Sequence, residues 1–555
     1  MLRGGIAGLA TFLLMLATQP FLQIGWDEGY TLGREARIRL WLRALANPPA
    51  FAESWTPPGE ELVQKEGSYP PRSDQVDSRW ELLFEPKVVQ WFWPFAREEP
   101  HGHPPFYAWL GLLGDVAAPG LADLPRARLG PMLLFSIAAG VLFGVLGSRW
   151  GQSAAWAALG AWVLQPRLFA EGHLATYDGI LTSLWMLALI AFARSEDSVF
   201  SKNSTWIWRV WFGILLGCSA ATKLTGWFLP IPLIAWALLY RSRKAAVTLL
   251  VGLGIATVVL FLLTPPWWSE PISGVARFLR SNLTRGKTIP ISVLFLGKVY
   301  ETPTGSLPWY NTIVWTVFVV PVGFLILSLI GAFNTGFRRP RDPLALLFLV
   351  NWGFLLTLRA APHTPGHDGV RLFLPAFGML VGMAAYGAKL CAESRRRGRQ
   401  ALLGLSLAEG VVSIAIMMPV PLSYYSPIVG MLPGATALGM EPTYYWDALS
   451  PEAKRWLTEN TGPGESIRFA TNPHSWLYLR RIGELPQRLD GVDPPGRRKW
   501  YVIQNRPGAF EESDRAIVRE ATPAFTVKKL GVPLIWIFPF EQAEPWLLKR
   551  SAPGH

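Results

Sequence analysis

Tracts of about 20 predominantly apolar residues recur along the chain, and they restrict its fold more than any motif does. The first, Gly4 to Ile24, carries no charge and follows Arg3. Further tracts run from Gly130 to Gly147, Ser153 to Arg167, Asp178 to Ala193, Ala245 to Leu263, Tyr310 to Phe333, Pro343 to Leu358, Leu372 to Ala388 and Ala401 to Val420. Such tracts read as transmembrane helices. Only 16% of the 555 residues are charged and 50% are hydrophobic, which excludes a disordered chain, a coiled coil and an ordinary cytosolic enzyme. The 27 Trp and 30 Phe suit a surface that meets lipid and its interfaces.

The segment Val210 to Tyr240 has one charge, Lys223, at its centre. As one helix it spans roughly 46 Å, too long for a hydrocarbon core of about 30 Å. Basic residues flank it on both sides, at Arg194 to Arg209 and at Arg241-Ser242-Arg243-Lys244. Both flanks read as cytoplasmic, so an even number of crossings separates them: two short helices with Lys223 at the turn. The total is about eleven spans, with the N-terminus inside and the C-terminus outside. No small-residue cleavage site follows the first tract, so it reads as a retained helix. The net charge of +13 then belongs to inner loops such as Arg338-Arg339-Pro340-Arg341 and Arg395-Arg396-Arg397-Gly398-Arg399, with no nucleic-acid partner implied. Cys218 and Cys391 both fall in spans and read as packing residues.

The fold class that follows is a mostly α, polytopic membrane protein with a C-terminal extracytoplasmic α/β domain. Residues 1–420 form the membrane domain, with a first outer loop at 27–128 and a second at 265–309. Within the first, Phe106 to Val116 is too short to cross and reads as an interfacial helix. In the second, Val275, Phe278, Leu279 and Leu283 recur at helical spacing beside Arg277, Arg280, Arg285 and Lys287. That pattern marks an amphipathic helix at headgroup height, suited to a lipid-linked phosphate or to anionic headgroups in general. Residues 421–555 carry a helix at Pro451 to Asn460 capped by Ser450, and another at Ser513 to Ala521. Strands are expected at Ser466 to Thr471, Trp500 to Gln504, Ala524 to Lys529 and Val532 to Phe538.

All seven histidines fall on the outer side in this topology, five of them in short membrane-proximal loops beside carboxylates. Asp27 and Glu28 follow the first span. His101 and His103 precede the interfacial helix. Glu171, His173 and Asp178 lie before the fourth span, and His363, His367, Asp368 and Arg371 before the tenth. Any one of these residues can be a helix cap in water; together they point to acid/base or metal chemistry at the outer membrane face. Two acids at the C-terminal end of the first span oppose the helix dipole, which argues for a task or a partner. Glu409, inside the last span, is expected to line a cavity. Gly140-x-x-x-Gly144 reads as helix packing. His101-Gly-His103 does not have the His-Glu-x-x-His metalloprotease spacing.

Several of these segments resemble one family. Asp27-Glu28 after the first span, His103-Pro104-Pro105-Phe106-Tyr107, His173-Leu-Ala-Thr-Tyr-Asp178-Gly179, Ala221-Thr222-Lys223-Leu224-Thr225-Gly226 and His367-Asp368-Gly369-Val370-Arg371-Leu372-Phe373 look like the protein O-mannosyltransferases and aminoarabinose-lipid A transferases. The resemblance implies a GT-C-type glycosyltransferase of the bacterial inner membrane, using a sugar carried on a polyprenyl phosphate. It implies Asp27 as catalytic acid/base residue, Glu28 as its neighbour in the acceptor site and Asp178 as a second active-site carboxylate. Lys223 and Arg371, with Arg277 and Arg280, are candidates for the donor phosphate. His101, His103, His173, His367 and Asp368 are candidates for substrate or for a divalent metal ion, with and without which the family has precedent. Two other classes share the spans: a transporter or flippase of lipid-linked sugars, which would place polar groups near the bilayer midplane, and a membrane scaffold with an outer binding domain.

Overall fold

The computed structural model describes residues 2–57, 70–94, 102–196, 205–288, 292–301, 304–338, 341–364, 366–394, 397–471, 474–486, 488–490 and 496–548. Among the described residues, seven helices are long and apolar enough to cross a membrane. They are Leu2–Phe21, Asp123–Trp150, Tyr177–Arg194, Arg243–Leu262, Pro343–Ala360, Pro375–Ala392 and Arg397–Met417. The other tracts expected to span are shorter or broken helices. Val210 to Tyr240 is divided between Thr205–Ala220 and Pro230–Tyr240, with Lys223 in the turn between them. Tyr177–Arg194 and Pro375–Ala392 are buried almost throughout and form the centre of the bundle.

Small residues let the first helix approach its neighbour closely. Helix α1 (Leu2–Thr18) buries Gly4, Ala7, Thr11 and Met15 and leaves Leu2, Ile6, Leu9 and Leu13 exposed, as a lipid-facing surface requires. A Cβ added at Gly4 would come within 2.7 Å of the Gly140 carbonyl oxygen, and one at Gly140 within 2.6 Å of the Gly4 carbonyl oxygen. The Gly140-x-x-x-Gly144 pattern is therefore one half of a reciprocal glycine contact.

The chain turns sharply after α1, and this corrects the placement of the acidic pair. A short turn at Gln19–Phe21 separates α1 from a second helix, α2 (Trp26–Ala46), whose first turn holds Asp27 and Glu28. The two acids sit at a helix N-terminus, where the dipole favours negative charge, and not at the C-terminus of the first span.

Tyr310 to Phe333 is also not one helix. It breaks at Pro321 into Asn311–Val319 and Val322–Phe337. The broken ladder leaves the first N–H groups of the second piece without carbonyl partners, a costly state in apolar surroundings. Glu409 supplies both acceptors, at 2.7 Å from Val322 N and 2.7 Å from Gly323 N. The intramembrane carboxylate caps a helix and does not line a cavity.

In the second outer loop the amphipathic helix Pro271–Thr288 packs Phe278 against Trp267, and a hairpin of β1 (Ser292–Phe295) and β2 (Lys298–Glu301) follows it. The C-terminal domain has a four-stranded sheet in the order β3-β4-β6-β5: β3 (Glu465–Phe469), β4 (Arg497–Gln504), β5 (Phe525–Lys529) and β6 (Val532–Pro539). β3 and β4 are parallel; the other pairs are antiparallel. Helices Pro451–Asn460 and Glu512–Glu520 lie where the pattern places them, and His474–Arg481 and Phe540–Leu548 are additional. The change of core comes later than residue 421. Tyr424, Tyr425, Leu432 and Tyr444 pack with the membrane helices, whereas Leu449, Leu457, Ile467, Val502 and Ile535 share a core with Ile24 and Leu32. Residues 421–447 are thus a connector belonging to the bundle, and the sheet domain sits over α2.

Candidate active site

Three chain regions meet where α2 begins. Trp26 N donates to the carbonyl of Tyr445 at 3.0 Å, which ties the connector to the helix start. Residue 25 must be glycine for this approach, since a Cβ there would lie 2.7 Å from the Tyr445 ring. Tyr445 Oη then donates to Asp27 Oδ2 at 2.8 Å. The same carboxylate oxygen accepts from Arg371 Nη1.

Arg371 is the hub. Its Nη1 also donates to Asp178 Oδ2 at 3.3 Å and to Tyr445 Oη at 3.1 Å, its Nη2 donates to Asp368, and its guanidinium lies 4.4 Å from the Tyr445 ring centroid. Asp178, in the first turn of Tyr177–Arg194, takes Lys223 Nζ on its other oxygen at 2.6 Å. Asp368 and Gly369 both have φ of 58°, a left-handed pair that returns the chain so that residues 368 and 371 face each other. Asp368 Oδ1 is held by Arg506 Nη1 at 3.0 Å, from just beyond β4. Burial opposes ionisation of Asp368, but the Arg371 and Arg506 guanidiniums overcome it and hold the carboxyl well below the usual range. Burial likewise opposes the charge on Arg371, and the surrounding Tyr445, Asp27, Asp368 and Asp178 raise its pKa well above the ordinary value.

The carboxylates differ in access. The Asp27 side chain is 18% exposed, against 1% for Asp178 and 9% for Asp368. Asp27 is the member of the cluster best placed to meet an incoming molecule. Glu171 is a further, deeper carboxyl: it is buried, its Oε2 has no hydrogen-bond partner, and burial together with the Asp178 charge raises its pKa well above that of an ordinary carboxyl.

Lys223 connects this cluster to a cleft of about 290 Å³. His103, His363, His367, Leu355, Leu358 and Phe373 line the cleft together with Arg359 and Asn282. Its walls are largely apolar, with a few polar groups, as expected of a pocket for an amphiphile.

The remaining expected residues fall elsewhere. Glu28, expected beside an acceptor, is fully buried. Arg128 holds both its oxygens, at 2.8 Å from Nε and 2.7 Å from Nη2, and Gly25 N and Ala175 N donate to it at 2.9 and 3.0 Å. Four donors saturate it, so it braces the start of α2 and has no lone pair left for an acceptor. His173 is bonded on both ring nitrogens, to Thr18 Oγ1 at 3.0 Å and to the Phe169 carbonyl at 2.7 Å, and burial lowers its pKa to about 4. It packs between helices as the neutral imidazole. Arg277 pairs with Glu270 at 2.5 Å, and neither it nor Arg280 lines the cleft. His101 lies outside the described residues. Among the described residues no three His, Cys, Asp or Glu side chains converge as a metal-ligand set, and Asp27, Asp178 and Asp368 are all engaged by cations.

Sequence reasoning passed over Tyr445, Arg506 and Arg359 and gave Glu171 no role. The aromatic run Tyr444-Tyr445-Trp446 before the sheet domain was the available signal for the first.

Residues 102–268 match the family model described as dolichyl-phosphate-mannose-protein mannosyltransferase. No curated protein matches the chain. Among solved structures, ArnT from Cupriavidus metallidurans in the apo state aligns over 96% of this chain and 97% of its own, with 14% identity and a TM-score of 0.51. The same protein bound to undecaprenyl phosphate aligns over the same shares with 14% identity and a TM-score of 0.49. The oligosaccharyltransferase AglB from Archaeoglobus fulgidus aligns over 90% of this chain and 69% of its own, with 12% identity and a TM-score of 0.45. This polytopic membrane protein thus shares the fold of ArnT over nearly its whole length, and residues 102–268 match the mannosyltransferase family model within it.

Proposed function

We propose that the protein is a membrane glycosyltransferase that moves a sugar from a polyprenyl-phosphate donor to an acceptor at the extracytoplasmic face of a bacterial inner membrane. The observation that carries this reading is the joining of Asp27, Arg371, Asp178 and Lys223 into one bonded cluster that adjoins an apolar cleft. The family matched over 102–268 is described by a dolichyl-phosphate-linked donor, and that stretch contains His103, Asp178 and Lys223. The fold shared with ArnT supports the same class. A flippase of lipid-linked sugars would distribute polar groups near the midplane; here they gather at one end of the helices.

In this reading the acceptor hydroxyl or amine approaches Asp27, the exposed carboxylate. Asp27 takes its proton as the acceptor atom attacks the anomeric carbon. The bond from that carbon to the phosphate oxygen breaks, its electron pair leaves on the phosphate, and the centre is inverted. Arg371 and Tyr445 fix the orientation of Asp27, so that the base is in place before the acceptor arrives. Cationic groups at the cleft stabilise the departing phosphate.

The test is transfer of radiolabelled sugar from a polyprenyl-phosphate donor by purified protein. Asp27→Asn is expected to lower turnover by at least 10²-fold, the scale of a lost general base, with the protein still folded in the membrane. Near-normal transfer by that variant overturns the assignment.

A further inference from the structure

Both cations that the resemblance offers to the donor phosphate are already committed. Lys223 Nζ is 2.6 Å from Asp178, and Arg371 is divided among Asp27, Asp178 and Asp368. Arg277 has Glu270, and Arg280 does not line the cleft. A phosphate arriving at Lys223 or Arg371 would have to compete with a carboxylate already in place.

Arg359 is in the opposite condition. It stands in the last turn of Pro343–Ala360, lines the cleft, and is only 3% exposed. Among the described residues, none of its three guanidinium nitrogens has a hydrogen-bond partner. Its guanidinium faces the Phe373 ring, 5.9 Å from the centroid, and feels the Asp368 charge without bonding to it. A buried guanidinium without an acceptor is costly, and it persists where something else in the working protein supplies one. The helix C-terminus favours a cation at this position, and the rigid fork of donors matches two phosphate oxygens at once. Around it, Leu355, Leu358, Leu372 and Phe373 offer an apolar wall for a hydrocarbon chain.

We infer that Arg359 is the anion-binding residue of the cleft and takes the phosphate of a prenyl phosphate bidentately, with the hydrocarbon laid along the leucine and phenylalanine wall. This rests on the reading above for the identity of the donor. It moves the phosphate contact from Lys223 and Arg371 to a residue no sequence motif marked. Lys223 and Arg371 keep the carboxylates charged and oriented.

The experiment measures binding of sugar-free polyprenyl phosphate to the full chain in nanodiscs, with inorganic phosphate as competitor. Arg359→Gln and Arg359→Met are expected to weaken binding at least tenfold. Arg359→Lys should retain part of it, because a point charge replaces the fork. Arg280→Gln, outside the cleft, should bind within about threefold of the parent. Inorganic phosphate should displace the lipid from the parent at millimolar concentration. If a short prenyl alcohol displaces it equally well, the hydrocarbon alone is recognised and the inference fails. Thermal unfolding separates a binding role from a structural one: Arg359→Met should unfold at the same or a higher temperature while losing the ligand. Unchanged affinity in Arg359→Gln, or an equal loss in Arg280→Gln, overturns the inference even if transfer still depends on Asp27. Arg359-dependent binding without any sugar transfer keeps the inference and removes the glycosyltransferase reading.

Discussion

Arg506 of the C-terminal domain lies 3.0 Å from Asp368, and Asp368 in turn holds Arg371, the residue that bonds Asp27. The sheet domain thus supports Asp27, the base proposed above, through two intermediates. Arg506→Gln is expected to reduce sugar transfer by tenfold or more with little change in acceptor KM. It should also cost stability, about 3 kcal/mol by analogy with other buried pairs that lose one partner. Steady-state kinetics and unfolding of the same preparation check both parts. Full activity in this variant would show that the domain is dispensable.

The Lys223–Asp178 pair is buried, with side-chain exposures of 8% and 1%. Removing either partner alone leaves an uncompensated charge and is expected to cost about 3–5 kcal/mol. The double variant Lys223→Met/Asp178→Leu should cost less than the sum. A double-mutant cycle in detergent reads the coupling, and strict additivity would contradict the geometry.

Glu441 joins three segments: its Oε1 accepts from Leu294 N at 3.1 Å and Gly508 N at 3.0 Å, and Arg506 Nε lies 3.5 Å from its other oxygen. Burial, only partly offset by Arg506, raises its pKa from 4.5 to about 7. The folded state therefore holds the proton more tightly than the unfolded chain. Its contribution is complete below pH 4.5 and is lost as the pH rises through 7, an effect of about 3 kcal/mol at most. Glu441→Gln should flatten stability between those limits, measured as unfolding midpoint against pH. A steeper decline in the variant would reverse the sign.

At the other end of the molecule, Gly140→Leu places a branched side chain against the Gly4 carbonyl. Overpacking of this kind costs about 1–3 kcal/mol. Separation of α1 from Asp123–Trp150 should appear as loss of a disulfide engineered between them. Retained crosslinking with unchanged unfolding would mean the helices do not touch at the glycines.

Glu409→Gln removes one of the two acceptors serving Val322 N and Gly323 N. The expected loss is about 1–3 kcal/mol, seen as faster hydrogen exchange at the start of Val322–Phe337. Exchange rates equal to the parent would place the cap elsewhere.

Much of this arrangement was legible in the sequence because hydropathy and charge act locally. The split of Val210 to Tyr240 follows from bilayer thickness and one lysine. The four strands of the sheet domain follow from alternating β-formers between turn residues. Asp27, Asp178 and Arg371 stand together because all three terminate or begin apolar tracts on the same side, a property of linear order. Other features depend on distance relations that no local pattern contains. The resemblance offers Glu28 to an acceptor, but Arg128, far away in sequence, takes both its oxygens. Glu409 looked like a cavity residue because the break at Pro321 lies far from it in sequence. Tyr445 and Arg506 come from beyond the membrane tracts, so nothing in the span pattern connects them to Asp27.

The hydrogen bonds from Trp26 N to the Tyr445 carbonyl and from Tyr445 Oη to Asp27 have a temporal consequence. Residue 27 leaves the ribosome early, whereas residue 445 emerges only after the last tract expected to span has been made. A nascent chain halted before the connector holds the tracts expected to span, the carboxylate and Arg371, but not the Tyr445 hydroxyl that completes its setting. The full set of bonds around Asp27 is therefore complete only after synthesis has passed the bilayer segment and the connector has docked against the start of α2.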